Sequence, residues 1–188
     1  MPILLPKQYV ADNEGVFVQG PLIFLGGPIR GGGDWQAAMC DIIFSIVPGA
    51  TIVCPCRWDI THRLHRHFVS VPVDESRGRQ LDWERYYLRR AGIERVWGCV
   101  LFYLPVESKV KPHPGPEPYA VDTRGELGEW RLYMRHEDAR VVVGAEEGFY
   151  GLSQIQRNFD AVLQRPFLIH STMEETARAA LAASAWMP

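Results

Sequence analysis

A run of small and charged residues at positions 122–130 could carry chemistry. Its sequence is Asp122-Thr123-Arg124-Gly125-Glu126-Leu127-Gly128-Glu129-Trp130, between a proline-rich segment and a predicted helix. A carboxylate such as Glu126 can attack an anomeric carbon and form a covalent glycosyl intermediate, because nearby negative charge stabilises an oxocarbenium-like transition state. Asp122 is a candidate proton donor or base contact. The alternative is structural: Glu126 favours a helix N-terminus, and Asp122 caps a turn.

A glycine-rich segment follows the first predicted strand and leads into a helix. Its sequence is Gly26-Gly27-Pro28-Ile29-Arg30-Gly31-Gly32-Gly33-Asp34-Trp35. Glycines let backbone amides approach a ligand closely, and a helix N-terminus favours an anion. We therefore expect this loop to hold sugar or phosphate, with Arg30 as the charged contact. The lysine of a Walker loop and the spacing of dinucleotide-binding glycines are missing. A flexible connection is the alternative.

Acidic and aromatic residues also begin a later predicted helix, in the segment Gln80-Leu81-Asp82-Trp83-Glu84. Asp82 and Glu84 cannot face the same side of a helix, so at most one of them points into a site. We take Asp82 and Trp83 as candidate substrate contacts. A tryptophan in this position is also typical of a protein core.

The four cysteines predict buried, reduced thiols rather than a metal site. Three of them lie in apolar runs, where free cysteine is common. Cys54 and Cys56 are separated by one residue, whereas structural zinc usually needs wider spacing and four good ligands. The histidines downstream, at positions 62, 65 and 67, do not supply that pattern. We therefore expect no metal.

Strand-like and helix-like segments alternate along the chain. Apolar, β-rich runs predict buried parallel strands at 22–25, 51–54, 98–104, 139–144 and 167–170. Helical character is found at 34–46, 80–91, 125–136 and 173–183. This alternation predicts an α/β fold with a parallel sheet covered by helices on both faces. Two polar segments, 62–79 and 106–123, each follow a predicted strand and either frame a ligand crevice or are surface excursions.

Composition limits the kind of partner. The chain has 188 residues, 47% hydrophobic and 22% charged, which predicts one globular domain over residues 1–188. A net charge of -2 favours a small ligand over a nucleic acid polymer. The N-terminus does not have the pattern of a secretory signal, and no stretch approaches the roughly 20 apolar residues of a membrane span. We therefore expect a cytoplasmic protein without a membrane partner.

The order of these segments resembles the nucleoside 2-deoxyribosyltransferase superfamily, especially its less characterised branch. The resemblance spans roughly residues 23–144. The Glu-Leu-Gly segment after a strand that ends in aromatic and proline residues is its most specific part. The matching segments are Phe24-Leu25-Gly26-Gly27-Pro28-Ile29 with Trp35, Cys54-Pro55-Cys56-Arg57, Asp82-Trp83-Glu84, Phe102-Tyr103-Leu104-Pro105 and Glu126-Leu127-Gly128.

This resemblance implies a flavodoxin-like fold, no cofactor, and a homo-oligomer in which a neighbouring subunit helps to complete the site. It implies that Glu126 is the nucleophile of a retaining enzyme that cleaves nucleosides or nucleoside 5-monophosphates. Related transferases pass the sugar to a second base, and related hydrolases pass it to water. The residues expected to bind substrate are Phe24, Gly26, Gly27, Pro28, Ile29, Arg30, Trp35, Arg57, Asp82 and Trp83.

The sequence departs from the family pattern at two places. The family often has a tyrosine where this chain has Phe24, and loss of the phenol removes a hydrogen bond to the nucleophile and leaves room for a ribose 2-hydroxyl. The family also often has an aspartate that contacts the base, where this chain has Trp97 or Gly98. These departures motivate a second hypothesis, a non-catalytic nucleotide-binding module of the same fold. A structural or partner-binding domain is a third, because fold does not fix function.

Overall fold

A computed structural model describes residues 2–10, 20–94 and 97–185. Within these ranges, six strands form one sheet in which every strand pair is parallel. The strands are β1 (Ile3–Leu4), β2 (Leu22–Gly26), β3 (Thr51–Val53), β4 (Gly98–Leu104), β5 (Val141–Ala145) and β6 (Ile169–His170). The α-helices of the same ranges are α1 (Trp35–Ile46), α2 (Gln80–Arg89), α3 (Val121–His136), α4 (Leu152–Leu163) and α5 (Met173–Ala183).

The strand order is β1-β3-β2-β4-β5-β6. Without the short edge strand β1, this is the order of the flavodoxin-like doubly wound fold. Strand β3 lies on one side of β2 and strand β4 lies on the other, so the order of strands along the chain reverses direction at this place in the sheet. Ligands of such sheets bind beyond the carboxyl ends of the strands where this reversal occurs. The predicted α/β, flavodoxin-like fold is therefore confirmed.

Helices cover both faces of the sheet because successive strand residues point to opposite sides. Ile23 and Leu25 of β2 pack with α1 and α5, whereas Phe24 packs with residues of α2 and α3. All residues of β2 and β4 are buried, as expected for central parallel strands. Each large apolar side chain buried in this way contributes about 1.5–3 kcal/mol to folding.

Several elements differ from the prediction. The helix expected at 125–136 begins four residues earlier, at Val121, because the chain turns at Ala120, which has a left-handed backbone (φ 62°). A π-helical turn, Arg90–Glu94, replaces the predicted end of α2. Strand β1 and helix α4 were not predicted, and the segment 62–79 contains 3₁₀ turns at His65–His67 and Glu75–Arg77.

The helices are short relative to a bilayer. Helix α3 has 16 residues and carries charged residues along its length. Among the described residues, no helix combines the length and the apolar character that crossing a membrane requires.

Candidate active site

A cavity of about 560 Å³ opens at the carboxyl ends of the strands, beside the ends of the adjacent strands β2 and β4. This volume falls within the range of about 300–1,000 Å³ that is typical of small-molecule sites. Its walls come from segments that follow successive strands: residues 26–30 after β2, residues 55 and 57 after β3, and residues 113 and 120–123 after β4. Helices α2 and α3 contribute Gln80, Glu84 and Glu126.

The glycine-rich loop forms one wall of the cavity, and its shape depends on Gly27. This residue has φ 144°, and a Cβ atom there would lie 2.3 Å from the carbonyl oxygen of Tyr103 and 2.7 Å from the Trp35 ring. Trp35 is buried and donates a hydrogen bond of 2.9 Å from Nε1 to the carbonyl oxygen of Pro28. The loop residues that line the cavity are therefore Gly26, Gly27, Pro28, Ile29 and Arg30. Trp35 does not line the cavity and instead supports the loop from the core.

Glu126 lies in the second turn of α3, with its side chain partly buried in the cavity wall. Burial, together with the nearby carboxylates of Glu84 and Asp122, raises the pKa of Glu126 to about 7. Glu126 lies beyond the first turn of α3, where the helix N-terminus has little effect on a charge, so the start of the helix does not account for a carboxylate at this position.

Glu84 is a site residue that the sequence did not single out. Its Oε1 accepts a hydrogen bond of 2.7 Å from Gln80 Nε2, while Gln80 Oε1 accepts one of 2.9 Å from Arg57 Nε. Burial raises the pKa of Glu84 even though the Gln80 hydrogen bond acts in the opposite direction. The signal that could have identified it is the four-residue spacing from Gln80, which places both side chains on one face of α2.

Asp82 and Trp83 do not reach the cavity. Asp82 faces away from Glu84 and accepts a hydrogen bond of 2.8 Å from the backbone N–H of Arg79, which caps the start of α2. Trp83 is fully buried and donates from Nε1 to the carbonyl oxygen of Gln8 at 2.8 Å. The structure therefore gives Asp82 a capping role and Trp83 a core position, in contrast to the substrate contacts expected for both.

Of the other residues expected to bind substrate, all except Trp35 line the cavity. Asp122 is exposed in the first turn of α3, and Arg30 and Arg57 are exposed at the glycine loop and after β3. Phe24 is 2% exposed, and its ring centroid lies 6.4 Å from that of Trp83, so it forms an apolar floor. The cavity thus combines acidic groups on the two helices with guanidinium groups on the loops.

Trp97 and Gly98 lie at the amino end of β4, whereas the cavity opens at the carboxyl ends of the strands. Gly98 is the first residue of β4, whereas the cavity lies beyond Leu104 at its end. A seven-residue strand spans about 20 Å, so this position is too far away to contact a base in the cavity. The absence of an aspartate there therefore has no direct effect on the site.

All four cysteines are free and buried, which confirms their predicted burial. Over residues 2–10, 20–94 and 97–185, no group of three or more histidine, cysteine, aspartate or glutamate residues is arranged to hold a metal ion. Cys54 and Cys56 lie in the core face shared by α1 and α5 rather than in the cavity.

No protein-family model matches the chain, and no curated protein matches it. The residues of the cavity themselves therefore carry the functional interpretation. Their arrangement provides a partly buried carboxyl group near its titration point at neutral pH, further acidic groups beside it, and a loop with a guanidinium group.

Proposed function

We propose that this protein cleaves the N-glycosidic bond of nucleosides or nucleoside 5-monophosphates through a covalent glycosyl intermediate on Glu126. The observation that supports this most is the Glu126 carboxyl group, whose pKa is raised to about 7 in a cavity of about 560 Å³. Such a group is ionised in a large fraction of molecules at neutral pH and, being partly desolvated, is a better nucleophile than a hydrated surface carboxylate.

In the first step, an oxygen of ionised Glu126 attacks the anomeric carbon, and the bond from that carbon to the base nitrogen breaks. The base leaves with the bonding electrons and takes a proton from a neighbouring acid. Glu84 fits this role because burial raises its pKa, and Asp122, the donor expected from the sequence, lines the same cavity. In the second step, water or another base attacks the same carbon and releases Glu126, with net retention.

The arginine residues support a phosphorylated substrate. Arg30 belongs to the glycine-rich loop, and Arg57 is oriented by its hydrogen bond to Gln80. A guanidinium group binds phosphate through paired N–H donors, so these residues suit a nucleoside 5-monophosphate.

The oligomeric state and the cellular location that belong to this proposal have separate support. A homo-oligomer is favoured by the outer side of α3, where Leu132 is 49% exposed and a Cβ at Gly125 or Gly128 would meet no atom within 4 Å. A cytoplasmic location is favoured by the free cysteines, since reduced thiols are usual in reducing compartments.

A non-catalytic nucleotide-binding module is the second candidate. Phe24 favours it, because the apolar ring at the cavity floor offers no hydroxyl group to orient a carboxylate. Such a module would bind nucleotides in the same cavity without releasing base.

Incubation with a panel of matched nucleosides and nucleoside 5-monophosphates, followed by chromatography for free base, separates these candidates. The proposal predicts base release that falls at least a hundredfold in Glu126→Gln, equivalent to about 2.7 kcal/mol of barrier. Glu147→Gln is the matched control, because Glu147 is exposed and does not line the cavity. Saturable nucleotide binding without base release would instead support the binding module.

A further inference from the structure

A smaller cavity of about 160 Å³ lies between α2 and α3. Helix α3 packs closely against α4, and α1 against α5, whereas α2 and α3 leave a space between them. We name this space the α2–α3 groove. Its lining on α2 includes Leu81, Glu84 and Leu88, and its lining on α3 includes Glu126, Trp130 and Tyr133. Three charged residues, Arg85, Arg89 and Glu129, complete the lining.

The groove continues from the main cavity. Glu84 and Glu126 belong to the walls of both, so their carboxylates stand at the boundary between the two spaces. Each is in the second turn of its helix, and both helices begin at the carboxyl edge of the sheet. The groove therefore extends from this boundary along the two helices, away from the glycine-rich loop.

The middle of the groove is apolar. Leu88 and Trp130 are 5% and 2% exposed, while Leu81 is 42% exposed, although it is large and apolar. At the far end, Tyr133 donates a hydrogen bond of 3.1 Å to Glu129, and the Arg89 guanidinium lies 5.9 Å from the Tyr133 ring centroid. The groove thus offers apolar walls and an aromatic ring, with acceptor oxygens at the end that opens to the main cavity.

We propose that the α2–α3 groove is a second subsite that takes one planar heteroaromatic ring, a free nucleobase, with its N–H edge towards Glu84 and Glu126. The size fits, because an apolar cavity of about 150 Å³ accommodates one benzene ring, whereas a whole nucleotide needs a larger site. The chemistry also fits, because ring N–H and amino groups donate to carboxylates while the ring faces contact Leu81, Leu88 and Trp130.

The identity of the ring rests on the proposed function, but its binding does not require bond cleavage. A base in the groove lies next to Glu126 without occupying the space beside the glycine-rich loop. The subsite therefore holds a free base next to the reacting carbon, whereas the attack of the second step takes place in the main cavity, on the face of the sugar opposite Glu126.

Titration of the ¹⁵N-labelled full chain with cytosine, a single-ring base with ring N–H and amino donors, followed by NMR, tests the subsite. We expect saturable shift changes in the amides of residues 81–89 and 126–133. Leu81→Trp should fill the groove and weaken cytosine binding at least tenfold. Leu168→Trp is the matched control, because Leu168 is 68% exposed and lines neither the groove nor the main cavity.

Cytosine affinity that is equal in wild type and Leu81→Trp, or shifts confined to residues 26–30, would overturn the subsite. Dissociation of a dimer by Leu81→Trp without a change in cytosine affinity, measured by sedimentation, would assign the groove to a second copy instead. This test measures binding of a free base and does not depend on whether the protein releases base from nucleosides. Failure of the subsite and failure of the proposed reaction are therefore distinguishable.

Discussion

Glu126 is held in a position that is unfavourable for a charged carboxylate. It is partly buried and lies near the acidic groups of Glu84, Asp122 and Glu129, all of which raise its pKa. Nothing in the packing of the sheet requires an acid here, since the neighbouring Leu127 and Trp130 supply the apolar contacts of α3. Groups that destabilise the folded state in this way are concentrated at functional sites.

This unfavourable position predicts how stability depends on pH. The pKa of Glu126 is about 7 in the folded protein, against the ordinary value of 4.5, so the folded state binds more protons between these pH values. The free energy of unfolding should therefore fall as pH rises from about 4.5 to about 7. Glu126→Gln, which cannot ionise, should be more stable than wild type at pH 8 by up to about 3 kcal/mol and similar to it at pH 4.5.

Urea unfolding of wild type, Glu126→Gln and Glu147→Gln at several pH values provides the measurement. The Glu147→Gln control should follow wild type throughout, because its carboxylate is exposed. If Glu126→Gln also followed wild type, the carboxylate would not be desolvated as described.

At the scale of elements, the site depends on loops and helix starts that a rigid sheet positions. The glycine-rich loop follows β2, and the carbonyl oxygen of Tyr103, in the adjacent strand β4, limits its shape at Gly27. Across the cavity from this loop, Glu84 and Glu126 each lie in the second turn of α2 and α3, respectively. The distance between the loop and the acids is thus fixed by pairing of β2 with β4 rather than by direct contacts between them.

Gly27 and Gly125 should respond in opposite ways to substitution by alanine. A Cβ at Gly27 would overlap backbone at 2.3 Å, and φ is 144°, so Gly27→Ala should lower the free energy of unfolding by about 2–4 kcal/mol and distort the cavity. Gly125 lies in the exposed part of α3 with nothing within 4 Å of a Cβ. Gly125→Ala should therefore raise the free energy of unfolding by about 0.5–1 kcal/mol. Thermal or urea unfolding measures both, and a neutral Gly27→Ala would contradict the described loop.

At the scale of the whole molecule, the parallel sheet was predictable because central strands are continuous apolar runs that alternate with helices. The bounds of β4 and α5 match the prediction. Strand β1 has only two residues, which is too short for any periodicity, and is defined by pairing with β3. Helix α4 was not predicted, although its buried residues, Ile155, Phe159 and Leu163, recur at the four-residue spacing of an amphipathic helix.

The candidate site was predictable in part for the same reason. Glu126, Asp122 and the loop from Gly26 to Arg30 lie just beyond strand ends, and parallel strands bring such residues together. The predicted helix began at Gln80, as α2 does, so the error lay in the role given to Asp82 rather than in the helix start. Asp82, at the third position of the helix, caps its start, whereas Glu84 lies one turn after Gln80 and faces the cavity.

The most direct test of the central claim is to trap the sugar on the protein. A 2-fluorinated nucleoside analogue slows release of the glycosyl group, because fluorine destabilises the oxocarbenium-like transition state. After incubation with wild type and proteolysis, mass spectrometry should locate one glycosyl adduct on Glu126, and Glu126→Gln should carry none. Base release from the analogue without any adduct, or an adduct on Glu84 or Asp122 that persists in Glu126→Gln, would contradict the assignment of Glu126 as nucleophile.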